Sequence, residues 1–438
     1  MQKQFVNLII AIVDLVLLVG LFYITIVLRV NMDEFGFPSF TMLELSDFSF
    51  VICVVFILMS YENIYTTQYD FWQDSLKVMK SFALGFLIVL TMLALTKTNL
   101  EYSRSFLTTY FLLGLFLMPI LKRYVKRLVY SFNFLKINTL VVGTDAEVAV
   151  FKKELENNWY LGQAFSLVNY KNVIIVSKGL DEKMLSIYIS KYIQETRSLF
   201  IVPYITDINF AHSNILEYSN IRYNTIQVEN KLLIKKNIWI KNSFDRVATL
   251  LVLPFFILLH ALIALVIKMD SKGSIFFKQH RLGKDDNDFL CYKYRTMHEN
   301  SDDILANYLL ENPDEVTYYD EYHKYKNDPR ITKVGKFLRS SSLDELAQII
   351  NVLKGEMSFV GPRPYMLKES CKIGENQEFI LKVKPGITGL WQVSGRNDLT
   401  FKERNELEVW YIKNWSLWAD FVILIKTIKV VLGKVGAR

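Results

Sequence analysis

Between residues 5 and 28 the chain is almost uncharged, with Asp14 the single exception. A run of that length reads as a helix crossing a bilayer, not as a core helix of a soluble domain. It is too long for a signal-peptide core, and no small-residue cleavage site follows it. Asp14 is therefore expected to face other helices and not lipid. Further apolar stretches lie at 48–61, 81–95 and 106–121. They fall short of the roughly 20 residues a crossing needs, but aromatic flanks can extend them. The four together predict a four-helix transmembrane bundle over residues 1–130.

The charges around these stretches set a topology. Residues 29–47 carry Asp33, Glu34, Glu44 and Asp47 against one arginine, and the fourth stretch runs into Lys122-Arg123-Tyr124-Val125-Lys126-Arg127. By the positive-inside tendency both ends of the bundle face the cytoplasm. The net charge of +7 fits cytoplasmic loops held against anionic lipid, and no nucleic-acid partner is expected. Cys53, Cys291 and Cys371 are odd in number and far apart, so neither a disulfide framework nor a thiolate metal site follows.

From 137 to 230 the pattern changes. Residues 137–142 are rich in β-formers and end at Gly143, 147–157 are helical in character, 173–176 and 199–202 read as strands, and 182–195 as a helix between them. This alternation predicts a small Rossmann-like α/β domain with a parallel sheet. Gly143-Thr144-Asp145-Ala146 lacks the glycine fingerprint of a dinucleotide site, so no NAD is expected there.

A second long apolar segment spans 247–267. Pro254 lies inside it, and Lys241 and Arg246 before it match Lys268 and Lys272 after it. Proline removes a helical hydrogen bond, and two cationic flanks both favour the cytoplasm. The segment is expected to enter and return as a re-entrant helix broken at Pro254. A plain fifth span is the alternative. The apolar 418–431 stretch, interrupted by Asp420, Lys426 and Lys429, suits either the membrane surface or an ordinary amphipathic helix.

Chemistry concentrates in Arg339-Ser340-Ser341-Ser342-Leu343-Asp344-Glu345-Leu346. An apolar-periodic helix follows over 347–353, with Gly355 in position to end it. Ser342 and Glu345 have capping-box spacing, which places Asp344 in a first helical turn, where the helix dipole favours an ionised carboxylate. Such a carboxylate can attack phosphorus, although the same residues also fit a plain cap. Cations surround this segment in the sequence. Arg363 stands between two prolines in Gly361-Pro362-Arg363-Pro364, a stiff turn suited to a phosphate clamp. Lys293 and Arg295 in Lys293-Tyr294-Arg295-Thr296-Met297 fall on one face of a predicted strand. Asp328-Pro329-Arg330 adds a third arginine, and the glycine-rich 384–397 run adds Arg396. Cations with flexible amides suit a diphosphate.

In this order the segments resemble the bacterial sugar transferase family, the polyprenyl-phosphate hexose-1-phosphate transferases. The resemblance also rests on Ser243-Phe244-Asp245-Arg246, Lys272-Gly273-Ser274-Ile275-Phe276-Phe277-Lys278-Gln279 and Arg281-Leu282-Gly283, and covers about 241 to the C-terminus. The whole layout is similar to the family's long form. The resemblance implies a membrane α+β protein whose 241–438 part is an α/β catalytic domain on the cytoplasmic face of a bacterial inner membrane. It implies transfer of a galactose or glucose 1-phosphate from a UDP-sugar to polyprenyl phosphate with release of UMP, the initiating step of surface polysaccharide synthesis.

Asp344 is then the nucleophile, Glu345 assists the acceptor or a metal, and Arg339 and Arg363 steady phosphates. Mg²⁺ is implied on Asp344. A homo-oligomer is one possible assembly. The family pattern carries Asp where Glu408 stands. Tyr322 and Lys326 have the Tyr-x-x-x-Lys spacing of a nucleotide-sugar dehydratase, the competing enzyme reading.

Overall fold

The computed structural model describes residues 2–31, 44–96, 104–196, 198–203, 214–218, 223–227, 231–312, 315, 328–395 and 399–433. They fall into two compact units, Met1–Thr206 and Asp207–Arg438.

The first unit opens with four apolar helices: α1 (Gln2–Asn31), α2 (Leu45–Tyr61), α3 (Phe71–Thr96) and α4 (Arg104–Val129). Segments of α1, α3 and α4 are long and apolar enough to cross a membrane, whereas α2 is shorter. α3 and α4 run well past their apolar stretches because the added charges are paired. Lys77 meets Glu62 at 3.1 Å, and Lys126 meets Asp74 at 2.7 Å. Asp14 faces inward as expected, fully buried and 2.6 Å from the equally buried Lys122. Leu18, Phe22, Phe48, Phe82, Phe106 and Tyr110 form the centre of the bundle. Gly114 allows α4 to approach α3 there, since a Cβ at that position would lie 1.8 Å from the Phe82 ring.

β1 (Ile137–Val142), β2 (Gln163–Phe165), β3 (Asn172–Val176) and β4 (Ser198–Val202) form one parallel sheet in the order β2-β1-β3-β4. α5 (Asp145–Asn157) connects β1 to β2, and α6 (Glu182–Glu195) connects β3 to β4. Val173 and Ile175 are fully buried, as strands in parallel sheets usually are. The Tyr160 hydroxyl donates to Asp74 at 2.7 Å, tying this sheet domain to α3.

The second unit contains a short hairpin of β5 (Asn214–Tyr218) and β6 (Tyr223–Gln227), then α7 (Lys235–Asp270). α7 has 36 residues, about 54 Å at 1.5 Å per residue. The expected break at Pro254 does not interrupt it. A proline removes one backbone hydrogen bond, and contacts on both sides hold the rest of the helix. Toward its start, Lys241 pairs with Asp420 at 2.7 Å and Asp245 accepts from the Phe359 N–H at 3.3 Å. Toward its end, His260 Nδ1 lies 2.9 Å from the Tyr294 hydroxyl, and Asp270 accepts from the Val334 N–H at 3.2 Å. Both halves thus pack on the same unit, while Leu251, Phe255, Leu258 and Leu262 on the other side are exposed.

β7 (Phe276–Leu282) and β8 (Asp288–Tyr294) form an antiparallel hairpin. α8 (Ser301–Glu311) follows, and β9 (Ser358–Val360) pairs in parallel with β10 (Gly386–Thr388). The 418–431 stretch is the helix Leu417–Leu432, which packs into the unit through buried Asp420 and Ile423. Cys53, Cys291 and Cys371 are all free.

Candidate active site

Asp344 sits at a joint. The helix Lys333–Ser340 ends, Ser342 turns the chain through the left-handed region at φ 56°, and a 3-10 helix, Leu343–Gln348, leads into Ile349–Lys354. Gly355 closes that last helix in the left-handed conformation. The expected capping box is absent. Ser342 makes no side-chain cap bond, and Glu345 turns to Lys293, whose Nζ lies 2.7 Å from Oε1. A left-handed residue points its side chain away from the amides a cap must reach, so this spacing does not produce a cap here.

Two neighbours position Asp344. Fully buried Asn351 accepts from the Tyr292 N–H at 3.0 Å and donates to the Leu290 carbonyl and to Glu356, both at 2.7 Å. It thereby stitches β8 to the segment that bears Asp344. Gly335 lets the helix before Asp344 lie against residue 296, since a Cβ there would be 2.0 Å from the Thr296 carbonyl oxygen. That approach brings Arg339 Nε within 2.9 Å of the Thr296 hydroxyl.

The electrostatics differ from what a helix dipole alone would give. Burial pushes the Asp344 carboxyl above its ordinary value, and Glu345 adds to this, while Lys293 and Arg339 oppose it. Two turns of 3-10 helix supply little dipole, so the neighbouring cations are what favour ionisation. Burial would lower Lys293, but Glu345 and Asp344 outweigh it and hold the ammonium charged.

The other predicted cations take separate places. Arg330 forks onto Asp328 with bonds of 2.8 and 2.7 Å. Burial raises Asp328, but Arg330 and then Arg339 bring it below its ordinary value, which places this pair in the field of Arg339. Arg295 does not share a ligand with Lys293. It is 8% exposed and donates to the Lys272 carbonyl at 2.5 Å and the Ser271 carbonyl at 2.8 Å. The strand ends at Tyr294, and Arg295 turns to close the segment after α7. Arg363 follows β9; its Nη2 is 3.6 Å from Glu369, and its backbone N–H donates to Glu408 at 2.6 Å. Arg281 feels both the Arg363 guanidinium and the Glu345 carboxylate. Arg396, Tyr322 and Lys326 lie outside the described residues.

The structure therefore brings Lys293, Arg339, Asp344 and Glu345 together, two half-buried carboxylates with two cations. A model of the bacterial sugar transferase family matches residues 236–434. Over 418 residues the chain is 31% identical to the UDP-galactose-lipid carrier transferase of Erwinia amylovora, covering 88% of this chain and 87% of that one.

The chain belongs to the bacterial sugar transferase family.

The undecaprenyl-phosphate galactose phosphotransferase of Salmonella typhimurium is 30% identical over 429 residues, covering 88% of this chain and 87% of that relative. A shorter relative, the exopolysaccharide production protein ExoY of Rhizobium meliloti, is 44% identical over 191 residues, which are 44% of this chain and 84% of the relative. Within this sugar transferase, the sequence reading missed Asn351. An asparagine inside a short helix is a weak signal, because it is disfavoured there unless its amide is bonded elsewhere.

Proposed function

We propose that this chain is a membrane phosphoglycosyl transferase. It moves a hexose-1-phosphate, galactose or glucose, from a UDP-sugar to polyprenyl phosphate. The step initiates surface polysaccharide synthesis at the cytoplasmic face of a bacterial inner membrane. The observation that carries this reading is Asp344 at a helix joint beside Lys293 and Arg339. The names of the relatives support the substrate class.

An ionised Asp344 oxygen attacks the β-phosphorus of the donor. The bond from that phosphorus to the bridging oxygen breaks, and UMP leaves with the bond's electrons. The phosphosugar stays on Asp344 as an acyl phosphate. A phosphate oxygen of polyprenyl phosphate then attacks the same phosphorus. The acyl–phosphorus bond breaks, Asp344 is restored, and the product is a polyprenyl diphosphate sugar. Lys293 and Arg339 supply positive charge for the phosphates at Asp344, Arg363 is assigned to the donor's diphosphate as well, and Arg330 is taken up by Asp328.

We propose Mg²⁺ as the metal partner of this site. Among the described residues no three His, Cys, Asp or Glu side chains converge, and this cation commonly takes one carboxylate with substrate phosphate oxygens. Asp344 would hold it, and its charge would offset that of the diphosphate.

We propose that α7, although continuous and long and apolar enough to cross a membrane, enters and leaves on one face and brings the site to the lipid headgroups. Support comes from its two ends, which both contact the second unit. Labelling of single cysteines at Lys236 and Met269 from the same membrane face is the expected result; labelling from opposite faces would make α7 a span.

Purified protein is given a UDP-sugar labelled in the β-phosphate. Wild type retains label and releases UMP; Asp344→Asn does neither. Retention of label by Asp344→Asn would remove the covalent route.

A further inference from the structure

Glu408 takes no part in the proposed bond changes, yet it is 2% exposed on the helix Phe401–Lys413. Its Oε1 accepts the Arg363 backbone N–H at 2.6 Å. Pro362 and Pro364 have no N–H, so this is the one backbone donor that the 362–364 turn can offer. Elsewhere the turn is held by its acceptors. The Gly386 N–H reaches the Pro362 carbonyl at 2.8 Å, and Arg281 reaches the Pro364 carbonyl at 3.2 Å.

The other Glu408 oxygen meets the Tyr365 hydroxyl, which also lies 2.6 Å from Asn405 Oδ1. These are three oxygens in a row, and the tyrosine has a single proton to donate. With Glu408 ionised, one of the two contacts is oxygen against oxygen unless the Asn405 amide turns over. With Glu408 protonated, Glu408 donates to Tyr365, Tyr365 donates to Asn405, and both contacts are satisfied. The two satisfied arrangements differ by one proton.

The charged groups around this chain are Arg363 on the turn, Arg404 on the same helix, Glu369 beside the turn and Arg281 on β7. Burial pushes Glu408 up to about 7, although Tyr365 and Arg363 pull the other way. Both states therefore fall within a working pH range. Ionised, Glu408 adds a negative charge that acts on Arg363 beside that of Glu369 and competes with an anionic donor for it. Neutral, it keeps the turn bonded and leaves the guanidinium's charge to the donor.

We propose that Glu408 is a positioning residue for Arg363, and that the proton on the Glu408–Tyr365–Asn405 chain sets how well Arg363 receives the donor's phosphate. This rests on Arg363 being a donor phosphate ligand.

The test is steady-state UMP release by the full-length protein between about pH 6 and 8.5, a range over which a sugar diphosphodiester keeps its charge. In wild type the donor KM rises with pH and kcat follows a separate profile. Glu408→Ala raises donor KM about tenfold over the low-pH wild-type value at all pH, because the Arg363 N–H loses its buried acceptor. Glu408→Gln has the shape of the neutral acid, so it restores KM to within about threefold of the low-pH wild-type value and removes the slope. A wild-type KM in Glu408→Ala, a preserved slope in Glu408→Gln, or equal impairment of both variants overturns the inference. Should Glu408→Ala not fold, the slope in Glu408→Gln decides alone. Unchanged donor KM in Arg363→Ala removes the premise. Wild type that releases no UMP from any UDP-sugar sinks the transfer reading itself, whereas an active wild type with a flat KM sinks this inference only.

Discussion

The Lys293 ammonium sits 2.7 Å from Glu345 Oε1, one residue from Asp344, and its charge acts on both carboxylates. It is the foremost charge opposing the upward push of burial on Asp344.

Lys293→Met therefore moves Asp344 further up. On the proposed route Asp344 must be ionised to attack, so the acidic limb of UMP release moves to higher pH. On the acid side of that limb, activity falls about tenfold for every pH step of one by which the limb is displaced. A pH profile of kcat/KM reads this directly, and an unmoved limb would show that Lys293 does not act on Asp344.

Asp344→Asn is expected to keep the fold. The folded Asp344 holds its proton to higher pH than an unfolded one, so its contribution to stability is full at low pH and is lost as pH rises through the raised value. Asparagine carries no such charge. Wild type thus loses stability relative to Asp344→Asn as pH rises, and thermal unfolding at two pH values checks the sign. A stability difference that stays constant or moves in wild type's favour as pH rises contradicts it.

Arg295→Met tests a structural role against a ligand role. The lost bonds to the Ser271 and Lys272 carbonyls are charge-assisted and come from a buried guanidinium, so their loss costs about 2 kcal/mol. Thermal unfolding falls accordingly, and the folded fraction keeps its donor KM. A raised KM at unchanged stability would return Arg295 to the donor site.

In the bundle, Asp14 and Lys122 are both fully buried and 2.6 Å apart. Asp14→Leu or Lys122→Met alone strands a buried charge and costs about 3–5 kcal/mol. The double variant removes both charges and recovers most of that loss. Unfolding in micelles compares the three, and a double variant no better than the singles would mean the pair does not act as a unit.

Local pattern was enough wherever neighbours along the chain decide the outcome. The strand at 137–142 and the helix at 182–195 are β1 and α6 with the same limits, because hydrophobic period and turn residues act within a few positions. The inward-facing Asp14 was legible too, since lipid has no other use for a carboxylate. Partner choice was not. Lys293 and Glu345 are 52 residues apart, and Glu408 and Arg363 are 45 apart. No period links such positions, so which cation meets which carboxylate is settled only when the elements pack. The same holds for the upward direction in which Asp344 moves, where desolvation by surrounding elements exceeds the pull of Lys293 and Arg339. Pro254 marks a missing hydrogen bond in the sequence, but contacts made by the two halves of α7 with distant residues keep the helix continuous through it.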